Sequence, residues 1–221
     1  MMAVTGLYFV FYVLMHMYGN LKILAGYEAF DEYAEHLRTM LVPILPYSGF
    51  LWLFRLSLVL ALLLHLRSAF TLWSRANSAR PVKYQVKKAV GASVSSKWMR
   101  WGGVALLLFL IFHLIQFTIS KVNFNGAFGP EKLRGADGHT STGLLVVASF
   151  QLWWVVLIYL VALLALAMHL HHGTWSAFQT LGWTNTSRSR ATAKSLGLFF
   201  AIVVVAGFMI PPLAILFGAV K

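Results

Sequence analysis

Five long apolar segments, separated by shorter polar ones, form the pattern of hydrophobic and polar positions along the chain. A transmembrane helix needs about 20 predominantly apolar residues, because the hydrocarbon core of a bilayer is about 30 Å thick. The pattern therefore predicts an all-α fold: a single transmembrane domain with five spanning helices. The predicted spans cover about residues 2–18, 48–73, 101–120, 143–172 and 196–218.

The polar segments differ in character. Residues 27–40 (YEAFDEYAEHLRTM) are too polar to insert and predict a short amphipathic helix at the membrane surface. Residues 121–142 contain several glycines and predict an irregular surface loop. No cleavable signal peptide is expected, because the first apolar run lacks a basic leader and ends in MYGN rather than at a small-residue cleavage site.

Composition agrees with this interpretation. The chain is 59% hydrophobic and only 11% charged, whereas a soluble domain carries roughly 25% charged residues. There is no cysteine, which excludes disulfides, thiolate-bound iron–sulfur clusters and cysteine nucleophiles on this chain. Any such centre must belong to a partner.

The net charge of +12 is distributed as a membrane topology requires, and no nucleic-acid partner is expected. Residues 67–100 hold eight Lys or Arg and no acid, and residues 188–194 hold three more. The positive-inside bias therefore places both segments, and the N-terminus, in the cytoplasm. The first segment, with Lys83, Lys87 and Lys88, is predicted to contact a soluble partner or lipid headgroups.

Four histidines lie within, or at the end of, four of the apolar spans. An imidazole in hydrocarbon is expensive, because nothing there replaces water as its hydrogen-bond partner. A single one would be explained as a satisfied core residue, but four on different helices indicate metal ligands, with structural or proton-handling roles as the alternative. The four are His16, His65, His113 and His169.

Counting depth along the spans sorts these histidines into two levels. With a rise of 1.5 Å per residue, His113 lies about 18 Å from the inner end of its helix, and His16 also lies in the outer half. His65 and His169 both lie at cytoplasmic ends. We therefore expect two haem b groups, bound by His16 with His113 on the outer side and by His65 with His169 on the inner side.

The other candidate site residues each have more than one possible role. His172 stays within 60° of His169 on the helical wheel and is the second choice as ligand or cofactor contact, whereas His171 faces the opposite side. Arg55, inside the second span, either extends to the outer headgroups or pairs with the carboxylates of an outer haem. His36 and His139 lie in exterior segments and are predicted to be solvated.

A resemblance to a known protein family extends over the whole chain. It rests on four segments: TGLYFVFYVLMHMYGN, RLSLVLALLLHLRSAF, RWGGVALLLFLIFHLIQF and YLVALLALAMHLHHGTWSAFQTLG. They resemble the haem-binding helices of the five-helix cytochrome b subunit of succinate dehydrogenases and fumarate reductases. The last is the most specific, since its H-x-x-x-G-x-W pattern places the ligand at His169. The ARPVKYQ segment resembles actinobacterial members.

The resemblance implies two haem b groups, a quinone, expected to be menaquinone, and a bacterial inner (plasma) membrane location. It also implies a flavoprotein subunit with covalent FAD, an iron–sulfur subunit, and a possible higher oligomer of the whole complex. The implied reaction is succinate oxidation coupled to quinone reduction. Some relatives carry a proton-conducting glutamate two residues before the fourth-helix ligand; here that position is Ala167, so such a path is not expected.

Two alternatives remain open at this stage: the b-type anchor of another respiratory dehydrogenase, and a haem-free transporter or proton channel with a histidine relay. The quinone site is also open. The outer side, with Glu35 and His36, is favoured over the inner side, which offers Trp175, Ser176 and the His171–His172 pair.

Overall fold

The computed structural model describes residues 1–79, 94–135, 138 and 140–220, and of residues 94–97 only the backbone. Within these residues it contains α-helices and short 3-10 and π turns but no β-strand, so the all-α prediction is confirmed. The helices are α1 (Met2–Leu21), α2 (Tyr27–Thr39), α3 (Gly49–Ser78), α4 (Val94–Leu114), α5 (Thr142–Phe150), α6 (Trp153–Thr180) and α7 (Ser187–Leu216).

Five of these elements, α1, α3, α4, α6 and α7, are long and apolar enough to cross a membrane, as predicted. Large apolar side chains such as Leu56, Val161 and Ile202 point outward from the bundle, where lipid replaces water as the solvent. The protein is therefore a multi-pass membrane protein. Helix α2 matches the predicted amphipathic helix and buries none of its side chains fully.

The spans are arranged around α6. Helix α7 packs along α6 over the largest helix interface, and α1 packs on both of them. Helix α4 packs on α6, whereas α3 packs on α1 and α2. The helices α3 and α4 meet through side chains at one end, where the Trp73 and Trp101 rings are 5.8 Å apart and Arg100 donates to Asn77.

The two ends of the bundle differ in charge. One end, here called the basic end, carries Arg67, Arg75, Arg100, Arg188 and Lys194. The other, here called the acidic end, carries α2 with its four carboxylates. The predicted docking lysines Lys83, Lys87 and Lys88, and also His139, lie outside the described residues.

One predicted span is wrong: residues 143–172 do not form a continuous helix. Helix α5 ends at Phe150 and α6 begins at Trp153, with Leu152 in an extended conformation. Most of α5 is buried, whereas α6 begins at the exposed Trp153. The break leaves few unpaired groups, because Leu152 N–H donates to Ser149 and Val155 N–H donates to Leu152.

Helix ends also differ from the prediction. Helix α7 begins at Ser187 rather than at residue 196, and its first turn has a capping box in which Thr186 and Ser189 each bond the other's backbone N–H. Helices α3 and α6 extend to Ser78 and Thr180. Hydropathy detects only the part of a helix inside hydrocarbon, whereas capping and polar residues continue the helix beyond it.

Asp31 joins α2 to α5. Its carboxylate accepts a hydrogen bond from the Ser141 hydroxyl and another, of 2.9 Å, from Gly143 N–H. Ser141 in turn caps α5 by accepting from Leu144 N–H. The approach is close at Gly143, where an added Cβ would lie 2.6 Å from the Tyr27 carbonyl oxygen. One carboxylate therefore holds both the capping serine and one N–H of the first turn of α5.

Replacing Asp31 with alanine is expected to loosen α2, because hydrogen bonds to a charged group contribute about 1.5–3 kcal/mol. Amide hydrogen exchange of the protein in lipid nanodiscs measures the effect, and residues 27–39 should exchange faster. Glu32→Ala removes the same charge from an exposed position on the same helix. Equal exchange in the two variants would contradict this role for Asp31.

Candidate functional site

The structure brings the four span histidines together in two pairs. The His16 and His113 rings have centroids 5.8 Å apart and planes at 82°. The His65 and His169 rings have centroids 6.3 Å apart and planes at 54°. These juxtapositions are the ones that depth counting predicted, and they join α1 to α4 and α3 to α6. Ligation of iron by them stays a prediction.

The two pairs lie at different levels of the bundle. On α1, Thr5 contacts His65, while His16 lies eleven residues further on, which is about 16 Å along the helix. On α4, Gly103 lies beside His169, while His113 lies ten residues further on, about 15 Å along the helix. Helices α1 and α4 thus give nearly the same separation between the two histidine pairs. His65 and His169 form the basic-end pair, and His16 and His113 the acidic-end pair.

Thr5 orients one imidazole of the basic-end pair. Its Oγ1 lies 3.1 Å from His65 Nδ1 and 3.1 Å from the Met2 carbonyl oxygen. A hydroxyl that donates to the carbonyl accepts from Nδ1–H, which leaves the lone pair of His65 Nε2 free to bind a metal. The Phe9 ring packs edge-on against this imidazole at 5.7 Å.

His169, the other member of this pair, has a buried Nδ1 without a hydrogen-bond partner in the described part of the chain. Two glycines flank the pair: an added Cβ would lie 3.8 Å from His65 Cε1 at Gly6 and 3.6 Å from His169 Cε1 at Gly103. Helices α1 and α4 therefore each bring one backbone position without a side chain close to these rings. Glycines at such positions let the backbone approach a bulky group closely.

A buried hydrogen-bond chain orients the acidic-end pair. His113 Nδ1 lies 3.1 Å from the Tyr159 hydroxyl, which donates to Gln116 Oε1 at 2.9 Å. Tyr159 is 8% exposed and Gln116 is fully buried. Gln116 lies in a π turn, Ile115–Ile119, that follows α4. Wide turns of this kind occur often at functional sites.

His16 is held by packing rather than by a strong hydrogen bond. The Tyr12 ring stacks on it at 5.4 Å with planes at 13°, and the Phe208 ring lies 5.6 Å away. Asn20 Nδ2 donates to the His16 carbonyl oxygen at 2.8 Å and lies 3.4 Å from His16 Nε2. Ring packing therefore restrains the imidazole, while the Asn20 amide makes only a long contact with its Nε2.

The ring spacings fit a shared iron. Metal–imidazole bonds are about 2 Å long, so two imidazoles that bind one metal have ring centres about 6 Å apart. Among the described residues there is no cluster of three or more His, Cys, Asp or Glu side chains arranged for a metal. Where a metal has two protein ligands, its other ligands come from a cofactor such as a haem, or from water.

Arg55 lies on α3 ten residues before His65, about 15 Å along the helix and therefore near the level of the acidic-end pair. It is half-buried, and its guanidinium lies over the Trp52 ring at 5.1 Å. This cation–π contact draws the guanidinium toward the first turn of α3, where Trp52 lies. The position is compatible with either predicted role.

His172 packs edge-on against Trp175 at 5.7 Å, and its Nδ1 is buried without a partner among the described residues. The imidazole that His65 faces is that of His169, as the helical wheel favoured. His36 is exposed on α2, as predicted.

Three polar residues that form hydrogen bonds of the site within the predicted spans were not predicted from the sequence: Thr5, Gln116 and Tyr159. Each is an isolated polar side chain in an apolar span, which is the signal that would have found them. Gln116 also lies three residues after His113, on a neighbouring part of the helix surface.

Comparison with protein-family models, curated proteins and solved structures finds no match to this chain.

Proposed function

We propose that the protein is a membrane cytochrome b that anchors a succinate:quinone oxidoreductase. The observation that carries this proposal is the arrangement of four membrane histidines in two facing pairs, with centroid spacings of 5.8 and 6.3 Å, at two levels. The sequence resemblance supplies the class of complex. The anchor would connect an iron–sulfur subunit to a membrane quinone, while a flavoprotein subunit oxidises succinate.

The residues of each pair have distinct roles in this proposal. His16 with His113, and His65 with His169, would hold one haem b each, and bound haem supplies one-electron transfer. Thr5 and Tyr159 keep one imidazole of each pair in the tautomer that exposes Nε2. The apolar side chains around both pairs exclude water and lower the local dielectric constant, a setting in which buried groups govern the reduction potential.

We further propose that the basic end faces the cytoplasm of a bacterium. Its described cations, including Arg67, Arg100 and Arg188, would follow the positive-inside bias. The iron–sulfur subunit would then dock there, close to the basic-end pair. Lipid headgroups are the alternative partner for the same cations.

The quinone site is proposed at the acidic end, beside the pair formed by His16 and His113. Glu35 lies there on α2, where its carboxylate accepts from the Tyr47 hydroxyl at 2.9 Å and from Arg38 at 3.2 Å. A quinone needs apolar walls and hydrogen-bond donors near the redox centre. A quinone or inhibitor found only beside Trp175 and Ser176 would place the site at the other end instead.

An absorption spectrum of the purified chain is the direct test. We expect reduced b-type α-bands and, from pyridine haemochrome analysis, two haems per chain. Mass spectrometry of the complex purified without high salt should find a covalently flavinylated subunit and an iron–sulfur subunit. A chain without b-type bands would overturn the proposal in favour of a histidine relay, and b haems with a non-flavinylated dehydrogenase would indicate a different respiratory anchor.

A further inference from the structure

We infer that Tyr159 and Gln116 are positioning residues for His113 and set the reduction potential of the acidic-end centre selectively. This inference rests on the proposed function, because it concerns the iron that His113 would bind. Tyr159 and Gln116 would then determine how strongly the His113 imidazole donates electrons to its iron.

The geometry forms a linear chain of hydrogen bonds. The Tyr159 hydroxyl lies between His113 Nδ1, at 3.1 Å, and Gln116 Oε1, at 2.9 Å. Since a hydroxyl has a single proton, donating it to Gln116 requires Tyr159 to accept from His113 Nδ1–H. The imidazole then presents the lone pair of Nε2, which is the atom that a bis-histidine iron binds.

The orientation of the Gln116 amide decides the direction of this chain. If the amide were turned by 180°, its NH2 would donate to Tyr159, and Tyr159 would donate to His113 Nδ1. Nε2 would then carry the proton and have no lone pair for a metal. As oriented, Gln116 leaves its Nε2 buried and unpaired among the described residues. A His113 that binds iron through Nε2 requires the orientation in which Gln116 Oε1 faces Tyr159.

Burial strengthens the effect of these hydrogen bonds on the reduction potential. Gln116 is fully buried and Tyr159 nearly so, and the Tyr159 ring is fixed by edge-on contacts with Phe109 and Phe150, both at 4.9 Å. Hydrogen bonds in a medium of low dielectric constant are electrostatically strong. A hydrogen bond from Nδ1–H makes the imidazole a better electron donor, which stabilises ferric over ferrous iron. Its loss therefore raises the midpoint potential.

The basic-end pair is built differently, which makes the effect selective. His65 Nδ1 meets the Thr5 hydroxyl, which donates a hydrogen bond to a backbone carbonyl, and His169 Nδ1 has no partner in the described part of the chain. Tyr159 and His169 are ten residues apart on α6, about 15 Å along the helix. A change at Tyr159 is therefore remote from the other centre.

The test is a potentiometric titration of the purified complex, followed through the reduced α-bands of the two centres. Tyr159→Phe keeps the ring packing and removes the hydroxyl. We expect a tenfold change in the reduction equilibrium of one centre, which for one electron raises its midpoint potential by ~59 mV. The midpoint potential of the other centre should not change. Gln116→Leu should shift the same centre in the same direction by less.

Two further variants serve as comparisons. Thr5→Val should raise the potential of the other centre only. Tyr8→Phe removes a tyrosine hydroxyl that bonds Ser57, at 2.6 Å, rather than a histidine, and should change neither potential.

The outcomes separate this inference from the proposed function. Wild-type protein without b-type bands would refute the proposed function and, with it, this inference. Wild-type protein with two centres whose potentials do not respond to Tyr159→Phe or Gln116→Leu would refute the inference alone. Equal shifts of both centres would also refute it, because they indicate a general structural change. If Tyr159→Phe does not assemble, Gln116→Leu decides by itself.

Discussion

Replacing His113 with leucine is expected to abolish one low-spin b-type signal and to leave the second spectrally intact. The acidic-end pair loses one of its two proposed ligands, and a leucine side chain at this position offers no atom that binds iron. The basic-end pair lies about 15 Å away along α4 and keeps both its imidazoles. Low-temperature absorption and electron paramagnetic resonance spectra of the reduced and oxidised protein distinguish the two centres.

His65→Leu should give the reverse result, which makes the two variants controls for each other. His172→Leu tests the alternative ligand on α6 and should leave both signals, because His65 faces His169. His36→Leu, at an exposed position on α2, should also have no spectral effect. Loss of the same signal in the His113 and His65 variants would show that the pairs are not independent and would contradict the proposed pairing.

Adding a side chain at Gly197 is expected to destabilise the contact between α6 and α7. A Cβ there would lie 2.6 Å from the His171 carbonyl oxygen, which belongs to the backbone and cannot rotate away. Overpacking of this kind costs about 1–3 kcal/mol, more than the roughly 0.8–1 kcal/mol that Gly→Ala contributes through helix propensity. The thermal midpoint should fall by about 2–4 °C for each kcal/mol of net loss.

Gly173→Ala is the matched control for Gly197→Ala. Gly173 also lies within a long helix, but an added Cβ there meets no heavy atom within 4 Å. This variant should be neutral or slightly more stable, because only the propensity effect remains. Thermal unfolding in detergent, followed by circular dichroism, compares the two. Similar midpoints for both variants would show that α6 and α7 separate at little cost.

The sequence predicted the histidine pairs because depth along a helix depends only on a fixed rise per residue and on the order of the spans. It did not predict the break at Leu152, since no glycine or proline interrupts residues 150–154. That break follows from contacts of α5, including the one with Asp31, that are distant in sequence. Hydropathy likewise could not place the start of α7, which is set by the cap at Thr186.

Which histidine each of the polar site residues would bond was beyond sequence reasoning for a related reason. Tyr159 lies 46 positions from His113, and no pattern in a single sequence joins two residues on different helices. Gln116 is closer to His113, but its burial depends on the π turn that turns it toward α6. Local rules predict positions along one helix, whereas the choice of neighbour depends on how helices pack.

The equal separation of the two levels on different helices limits which insertions and deletions the chain can tolerate. One residue added between Gly103 and His113, or between Tyr159 and His169, would rotate everything beyond it by about 100° and shift it by about 1.5 Å. One histidine of a pair would then face lipid while its partner stayed in place. Changes in length should therefore be confined to the connecting segments, such as residues 121–135, where they alter no spacing between the pairs.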